Sequence, residues 1–241
     1  MSDLAIQLAL AAIPAILAIT LHEAAHGYAA LALGDDTAKQ AGRLSLNPLR
    51  HIDRVGTILL PGFLLISQLL TLGRIVFLFG WAKPVPVSAW KFRHPLQMMA
   101  LVACAGPLMN FALAVLGGLA IGLILQFGGK ATAFVGYALV FCAYFVQANL
   151  ILGLFNLIPI PPLDGGRIVV GILPRPLALR WARLERYGIL IVLLLLIAPS
   201  LLGEFGLHLD PLRDWLLPIF NHAYRVILWI AGVPLDSPYA D

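Results

Sequence analysis

The chain is short of charge. Asp, Glu, Lys and Arg make up 12% of its 241 residues, against 61% that are hydrophobic. A soluble domain usually carries about twice that charged share, because it faces water on every side. Polar sequence is equally scarce, and the longest mainly polar run extends only from about Gly34 to Arg54. Such a run leaves no room for a separate soluble domain, so the chain is not a single anchor on a soluble body. Cysteine is nearly absent. Cys104 and Cys142 both sit in apolar runs, which argues against a disulfide-stapled scaffold and for two buried thiols. No internal repeat recurs. The first residues lack the basic region and small-residue cleavage site of a signal peptide, so the first apolar run is expected to be a retained helix. The net charge of +4 is no nucleic-acid signal, since the basic residues flank apolar segments.

What is present is long apolar sequence, recurring from residue 4 to residue 233. The fold class expected is an all-α polytopic membrane protein, a bundle of about five to six transmembrane helices. Spans are expected near 4–33, 96–127, 133–158, 187–202 and 212–232, with a helix stop at Gly34-Asp35-Asp36. Residues 55–80 are apolar but broken by Pro61-Gly62, Ser67-Gln68 and Gly73-Arg74, and the PVPV of 84–87 cannot be helix interior. A basic amphipathic piece covers 176–186.

Charge decides between two topologies. If 55–80 crosses the membrane, basic residues divide almost evenly between the faces. If it re-enters and returns, one face holds Lys39, Arg43, Arg50, Arg54, Arg74, Lys83, Lys91, Arg93, Arg167, Arg175, Arg180, Arg183 and Arg186. The other keeps Lys130 and Arg213, with Glu204, Asp210 and Asp214. The positive-inside rule favours the re-entrant segment and places the C-terminal end of the first helix on the cytoplasmic side.

The first helix carries HEAAH. His22 and His26, four apart, share one helix face and can reach a single zinc at about 2.0–2.1 Å. Glu23 projects beside them as a general base, and a carboxylate this deep in apolar sequence needs a partner. A catalytic zinc takes a third protein ligand. Asp35, Asp36, Asp53 and His51 lie in a polar loop, His94 lies in a basic one, and Glu204, His208, Asp210 and Asp214 fall on the far face. Asp164, framed by apolar sequence and followed by two glycines that allow a tight bend, is the candidate ligand; its alternative role is to cap a helix over 165–173.

HEAAH, AGPLMN (105–110) and FNLIPIPPLDGGR (155–167), in that order, resemble the three signatures of the site-2 protease family of intramembrane zinc metalloproteases. The resemblance covers about residues 5–172 and is closest to the compact bacterial and archaeal type without PDZ or CBS domains. It implies Zn2+ held by His22, His26 and Asp164, with Glu23 as catalytic acid/base. It implies a substrate or oxyanion role for Asn156, and a site-supporting role for Asn110, with helix packing as the alternative for each. It also implies a short β element edging the site, for which 81–88 is the candidate, although Pro84 and Pro86 remove two donors. Asn149 matches no signature and is read as packing between helices.

The function expected is hydrolysis of peptide bonds in or near transmembrane segments, as in regulated intramembrane proteolysis. The alternative is a membrane zinc-binding protein or transporter without proteolytic activity. The partners expected are a transmembrane protein substrate and the lipid bilayer, in a prokaryotic cell membrane. Residues 1–173 form the expected core of one membrane domain, and 174–241 form its C-terminal amphipathic and transmembrane part.

Overall fold

Backbone in lipid must satisfy its own hydrogen bonds, and long apolar runs do so as helices. A computed structural model describes residues 2–73, 80–128, 132–204, 206, 210 and 212–234 of the chain. Its helices are α1 (Ser2–Ala32), α2 (Thr37–Gln40), α3 (Leu60–Leu72), α4 (Pro95–Phe127), α5 (Ala133–Asn156), α6 (Asp164–Ile172), α7 (Arg175–Ala182), α8 (Gly188–Glu204) and α9 (Leu217–Ile230). Arg74, Lys130 and His208 lie outside the described residues.

Among the described residues, four helical stretches are long and apolar enough to cross a membrane: Ala5–Ala32, Arg54–Thr71, Pro95–Phe127 and Ala133–Asn156. The expected five to six are not confirmed. α8 has 17 residues and α9 has 14, entered through a π-helical turn over Leu212–Leu216. Both fall at or below the lower end of the range of about 17–25 residues that spans a 30 Å hydrocarbon core. The short β element is also missing, since no strand occurs among the described residues. Residues 81–88 form neither helix nor ladder, and the residues before Pro84 and Pro86 are biased to extended backbone. The segment's N–H groups go elsewhere: Trp81 to the Gly56 carbonyl (3.1 Å), Lys83 to the His51 carbonyl (2.8 Å), and Val85 and Ser88 to carboxylates.

α1 and α4 run antiparallel. The Asn110 amide of α4 donates to the Ala18 carbonyl at 3.3 Å, and the Val102 carbonyl, two turns earlier in α4, accepts from His26, two turns later in α1. α5 returns antiparallel to α4, with Gly117 against Val146 and Gly153 against Asn110 and Phe111. The glycines let backbones approach closely, as helices in membranes require. Between α4, α5 and α9 lies a core of Ala114, Ile121, Val146, Leu150 and Leu228, all essentially inaccessible.

α9 runs in the same sense as α4. Gly118 meets Ile227 and, one turn on, Gly122 meets Ala231. Arg213 and Asp214, at the start of that run, therefore sit toward the Pro95 end of α4, not at the Phe127 end where the charge pattern put them. Residues 56 and 80–81 also meet. The Trp81 ring fills the space beside Gly56, so the chain that leaves through α3 is back where it started by Gly80 and Trp81.

The polar loop after α1 is more buried than its composition suggests. Asp35 is fully buried and accepts from Thr37 and from the Ser88 N–H (2.6 Å), with the Lys91 ammonium at 3.4 Å. His51, although in the same polar loop, is buried and bonded through Nε2 to the Ser45 carbonyl at 2.8 Å. Gly34 ends α1 with φ 101°, a conformation that suits glycine. Cys104 and Cys142 are both free thiols.

Candidate metal centre

HEAAH lies well inside α1, so the helix geometry sets His22 and His26 one turn apart on one face, their rings edge to face with centroids 4.6 Å apart. Asp164 arrives from a distant part of the chain as the first residue of α6. Leu163, not Asp164, occupies the N-cap, so the carboxylate does not cap the helix. The two following glycines are helical; neither has positive φ. Their role is close approach: a Cβ on Gly165 would overlap the carbonyls of Leu157 and Ile158, and one on Gly166 the backbone of Ile160 and Pro161. Missing side chains, not a bend, seat α6 against the preceding turn and carry Asp164 inward.

The three side chains converge. His22 Nε2 lies 3.0 Å from His26 Nε2, and Asp164 Oδ2 lies 3.2 Å from the first and 3.3 Å from the second. His22 and Asp164 are buried, and His26 is nearly so. Each ring's other nitrogen fixes its tautomer. A carbonyl only accepts, so His26 Nδ1–H donates to Val102 O at 2.8 Å. His22 Nδ1–H likewise donates to Asn110 Oδ1 at 2.6 Å. In neutral rings both Nε2 atoms then present lone pairs to one another and to Asp164 Oδ2, a buried oxygen with no hydrogen-bond partner. Three lone-pair donors this close repel unless a cation lies between them. Ligands at 2.0–2.1 Å in a tetrahedron stand about 3.3 Å apart, which matches the observed triangle. Two imidazoles and one carboxylate form the ligand set of catalytic zinc sites.

Gly106 explains part of the AGPLMN signature. A Cβ there would lie 2.5 Å from His22 Cε1 and from His26 Nε2, so α4 can press against the two histidines only with glycine at this position. Asn110, expected to support the site, spends its amide within the protein. Its Oδ1 serves His22, and its Nδ2 donates to Ala18 O and to Asn149 Oδ1. It is fully buried, and it fixes the orientation of the His22 ring. Asn156 stands on the last turn of α5, where its Nδ2 donates to the Leu152 carbonyl of its own helix (3.0 Å). Its expected contact with the reacting groups is not among these bonds. Glu23 is half-buried and accepts from the Val85 N–H at 3.0 Å through Oε2. Sequence reasoning gave Asn149 only a packing role and Asp35 only a place in a polar loop, and it did not single out Val85. The available signal was a buried amide in an apolar helix for Asn149, and the flanking prolines for Val85.

Apolar spanning helices that carry two histidines, a convergent carboxylate and a neighbouring glutamate define a membrane metallopeptidase. The model of Peptidase family M50 matches residues 118–198, which include Asp164. The Bacillus subtilis (strain 168) protein named "Putative zinc metalloprotease YwhC" is 38% identical over 216 residues, covering 88% of this chain and 91% of its own. "Putative zinc metalloprotease Rip2" of Mycolicibacterium smegmatis is 31% identical over 186 residues (77% of this chain, 66% of its own), and its Mycobacterium tuberculosis H37Rv counterpart is 29% identical over 191. No solved structure matches. The chain belongs to Peptidase family M50, the site-2 protease family.

Proposed function

We propose that this zinc peptidase cuts peptide bonds in or near the transmembrane segments of other membrane proteins, with its active site toward the cytoplasmic side of a prokaryotic cell membrane. The observation that carries this reading is the depth of the triad. Gly106, which touches both histidines, lies ~17 Å along α4 from Pro95 at 1.5 Å per residue, with apolar helix continuing beyond it. A bond that reaches the triad must come from a segment at the level of the bilayer. Lys39, Arg43, Arg50, Arg54, Lys83, Lys91 and Arg93, on the loops that join the His26 end of α1 to the Pro95 end of α4, support the cytoplasmic assignment. The meeting of Gly56 with Trp81 supports a re-entrant segment over 55–80. Residues 174–241 act with the 1–173 core as one membrane domain, and the family match runs across that boundary.

His22, His26 and Asp164 would hold the zinc, which when bound polarises a peptide carbonyl and acidifies water. Glu23 takes the proton of the attacking water and returns it to the leaving nitrogen. The Val85 N–H holds one carboxylate oxygen of Glu23 in place and leaves the other for the proton. A helical substrate hides its carbonyls in its own hydrogen bonds and must unwind locally. The 81–88 segment is suited to receive it. Lys83 and Val85 turn their N–H groups inward, while the opposite edge carries Pro84 and Pro86, which have none. That edge offers carbonyl acceptors only, so an unwound substrate would pair through its own N–H groups.

The test uses protein purified in detergent, a zinc assay and a panel of transmembrane peptides. About one zinc per chain is expected in the wild type, full zinc with cleavage reduced at least ~10²-fold in Glu23→Gln, and weakened zinc binding in Asp164→Ala. Cleavage that survives Glu23→Gln rejects the mechanism. A wild type that binds zinc yet cuts only soluble peptides rejects the substrate class.

A further inference from the structure

The bonds around His22 continue beyond Asn110. Asn110 Nδ2 donates to Asn149 Oδ1 at 2.9 Å, and Asn149 Nδ2 donates to the Phe145 carbonyl, one turn back in α5, at 2.8 Å. Both asparagines are fully buried between α1, α4 and α5. The chain of bonds has one direction. The Phe145 carbonyl can only accept, so Asn149 must turn its nitrogen toward it and its oxygen toward Asn110. Asn110 must then turn its nitrogen toward Asn149 and its oxygen toward His22. His22 must place its hydrogen on Nδ1, which leaves the Nε2 lone pair at the triad.

An asparagine amide is nearly symmetric in shape, so packing alone does not decide which way Asn110 points. Flipped, Asn110 would offer N–H to His22 Nδ1, move the ring hydrogen to Nε2 and close that atom to a metal. The Ala18 carbonyl opposes the flip at 3.3 Å, a long contact. Asn149 opposes it more strongly, because a flipped Asn110 would set two carbonyl oxygens against each other in a fully buried site.

We propose that Asn149 is a positioning residue of the metal centre, fixing the Asn110 amide and through it the metal-binding tautomer of His22. Asn149 touches neither the triad nor substrate. The inference rests on the metal reading above and adds a residue outside the three signatures.

The experiment is a zinc-affinity measurement by chelator competition on the full chain in detergent, for wild type, Asn149→Leu, Asn110→Asp and the double variant. Asn149→Leu is expected to bind zinc about 10–100-fold more weakly, the range seen when outer partners of ligands are removed. In Asn110→Asp both oxygens accept from His22 whichever way the group points, so the tautomer no longer depends on Asn149, and this variant's own affinity, lowered by loss of the Nδ2 bonds to Ala18 and Asn149, is the baseline for the double variant. Adding Asn149→Leu to Asn110→Asp should then cost nothing further. A packing role would instead give the same loss in both backgrounds, and that result overturns the proposal, as does wild-type affinity in Asn149→Leu. If Asn149→Leu does not fold, the 15N shifts of the His22 ring in metal-free wild type at about pH 8, above the imidazole range, decide the matter. Hydrogen on Nδ1 is expected, and a neutral ring with hydrogen on Nε2 overturns the proposal. A wild type that takes up no zinc overturns the metal reading, while the ring shifts still decide the relay.

Discussion

The Val85 N–H donates to Glu23 Oε2 at 3.0 Å, joining the 81–88 segment to the glutamate of HEAAH. The bond comes from a residue with proline on both sides, whose backbone is biased to the extended form before any substrate arrives.

Val85→Pro removes this donor in a segment that already carries proline on both sides. Peptide cleavage should fall roughly tenfold through loss of Glu23 positioning, with zinc content unchanged. Unaltered turnover on the same peptides would show that the bond does not serve Glu23.

Gly106→Ala places a methyl group where His22 Cε1 and His26 Nε2 now lie. Zinc affinity should drop at least ~10-fold as the rings are displaced. Gly136→Ala is the matched control, because nothing lies within 4 Å of a Cβ there. That helical position should gain about 0.5–1 kcal/mol of stability. Equal metal binding in the two variants would refute the close packing of α4 on the ligands.

Acid should loosen the 81–92 segment. Burial pushes the Asp35 carboxyl up, but the Ser88 N–H, the Thr37 hydroxyl and N–H, and the Lys91 ammonium outweigh it and hold the group below its ordinary value. Lys91 also holds Asp36 down, and is itself held above its usual range. A carboxyl depressed in the folded state contributes stability above the ordinary carboxylate value, near 4. That contribution is lost as pH falls through the lowered folded value. Amide protection across 81–92 should decline over this acidic window in wild type. In Asp35→Asn protection should already be low at neutral pH, and a wild-type pH profile there would remove Asp35 as the cause.

Cysteines introduced one at a time at 39, 91 and 183, in a background without Cys104 and Cys142, should react with an impermeant reagent from one face. Those at 132 and 234 should react from the other. A split within the first group rejects the re-entrant segment. Labelling of 234 together with 39 reverses α9.

Much of the site was legible because its chemistry is local or rare. The spacing of His22 and His26 is fixed by helix geometry, and Asp164 stood out as an acid in apolar surroundings with no other partner. Directions were harder. Charge placed Arg213 by counting crossings, whereas α9 is placed by two glycine contacts with α4 that no local pattern announces. The β element failed because Pro84 and Pro86 leave one edge without donors while Glu23 and His51 take the inward N–H groups of Val85 and Lys83. Asp35 read as a loop acid because its partners, Ser88 and Lys91, come from a distant segment. Asn149 could be seen as a buried amide, but its orientation depends on Asn110 and Phe145 together, which only three-dimensional packing supplies.

The ligands of the triad come from the first helix and the sixth, so a bound ion ties the beginning of the chain to its later part. Such a tie closes a long loop and stabilises the folded state by mass action, in proportion to the logarithm of free metal over its dissociation constant. Chelators in a purification buffer would then act as mild denaturants of this protein. An inactive sample could reflect an untied bundle as much as a missing catalyst, and heat resistance should return with added metal even in Glu23→Gln.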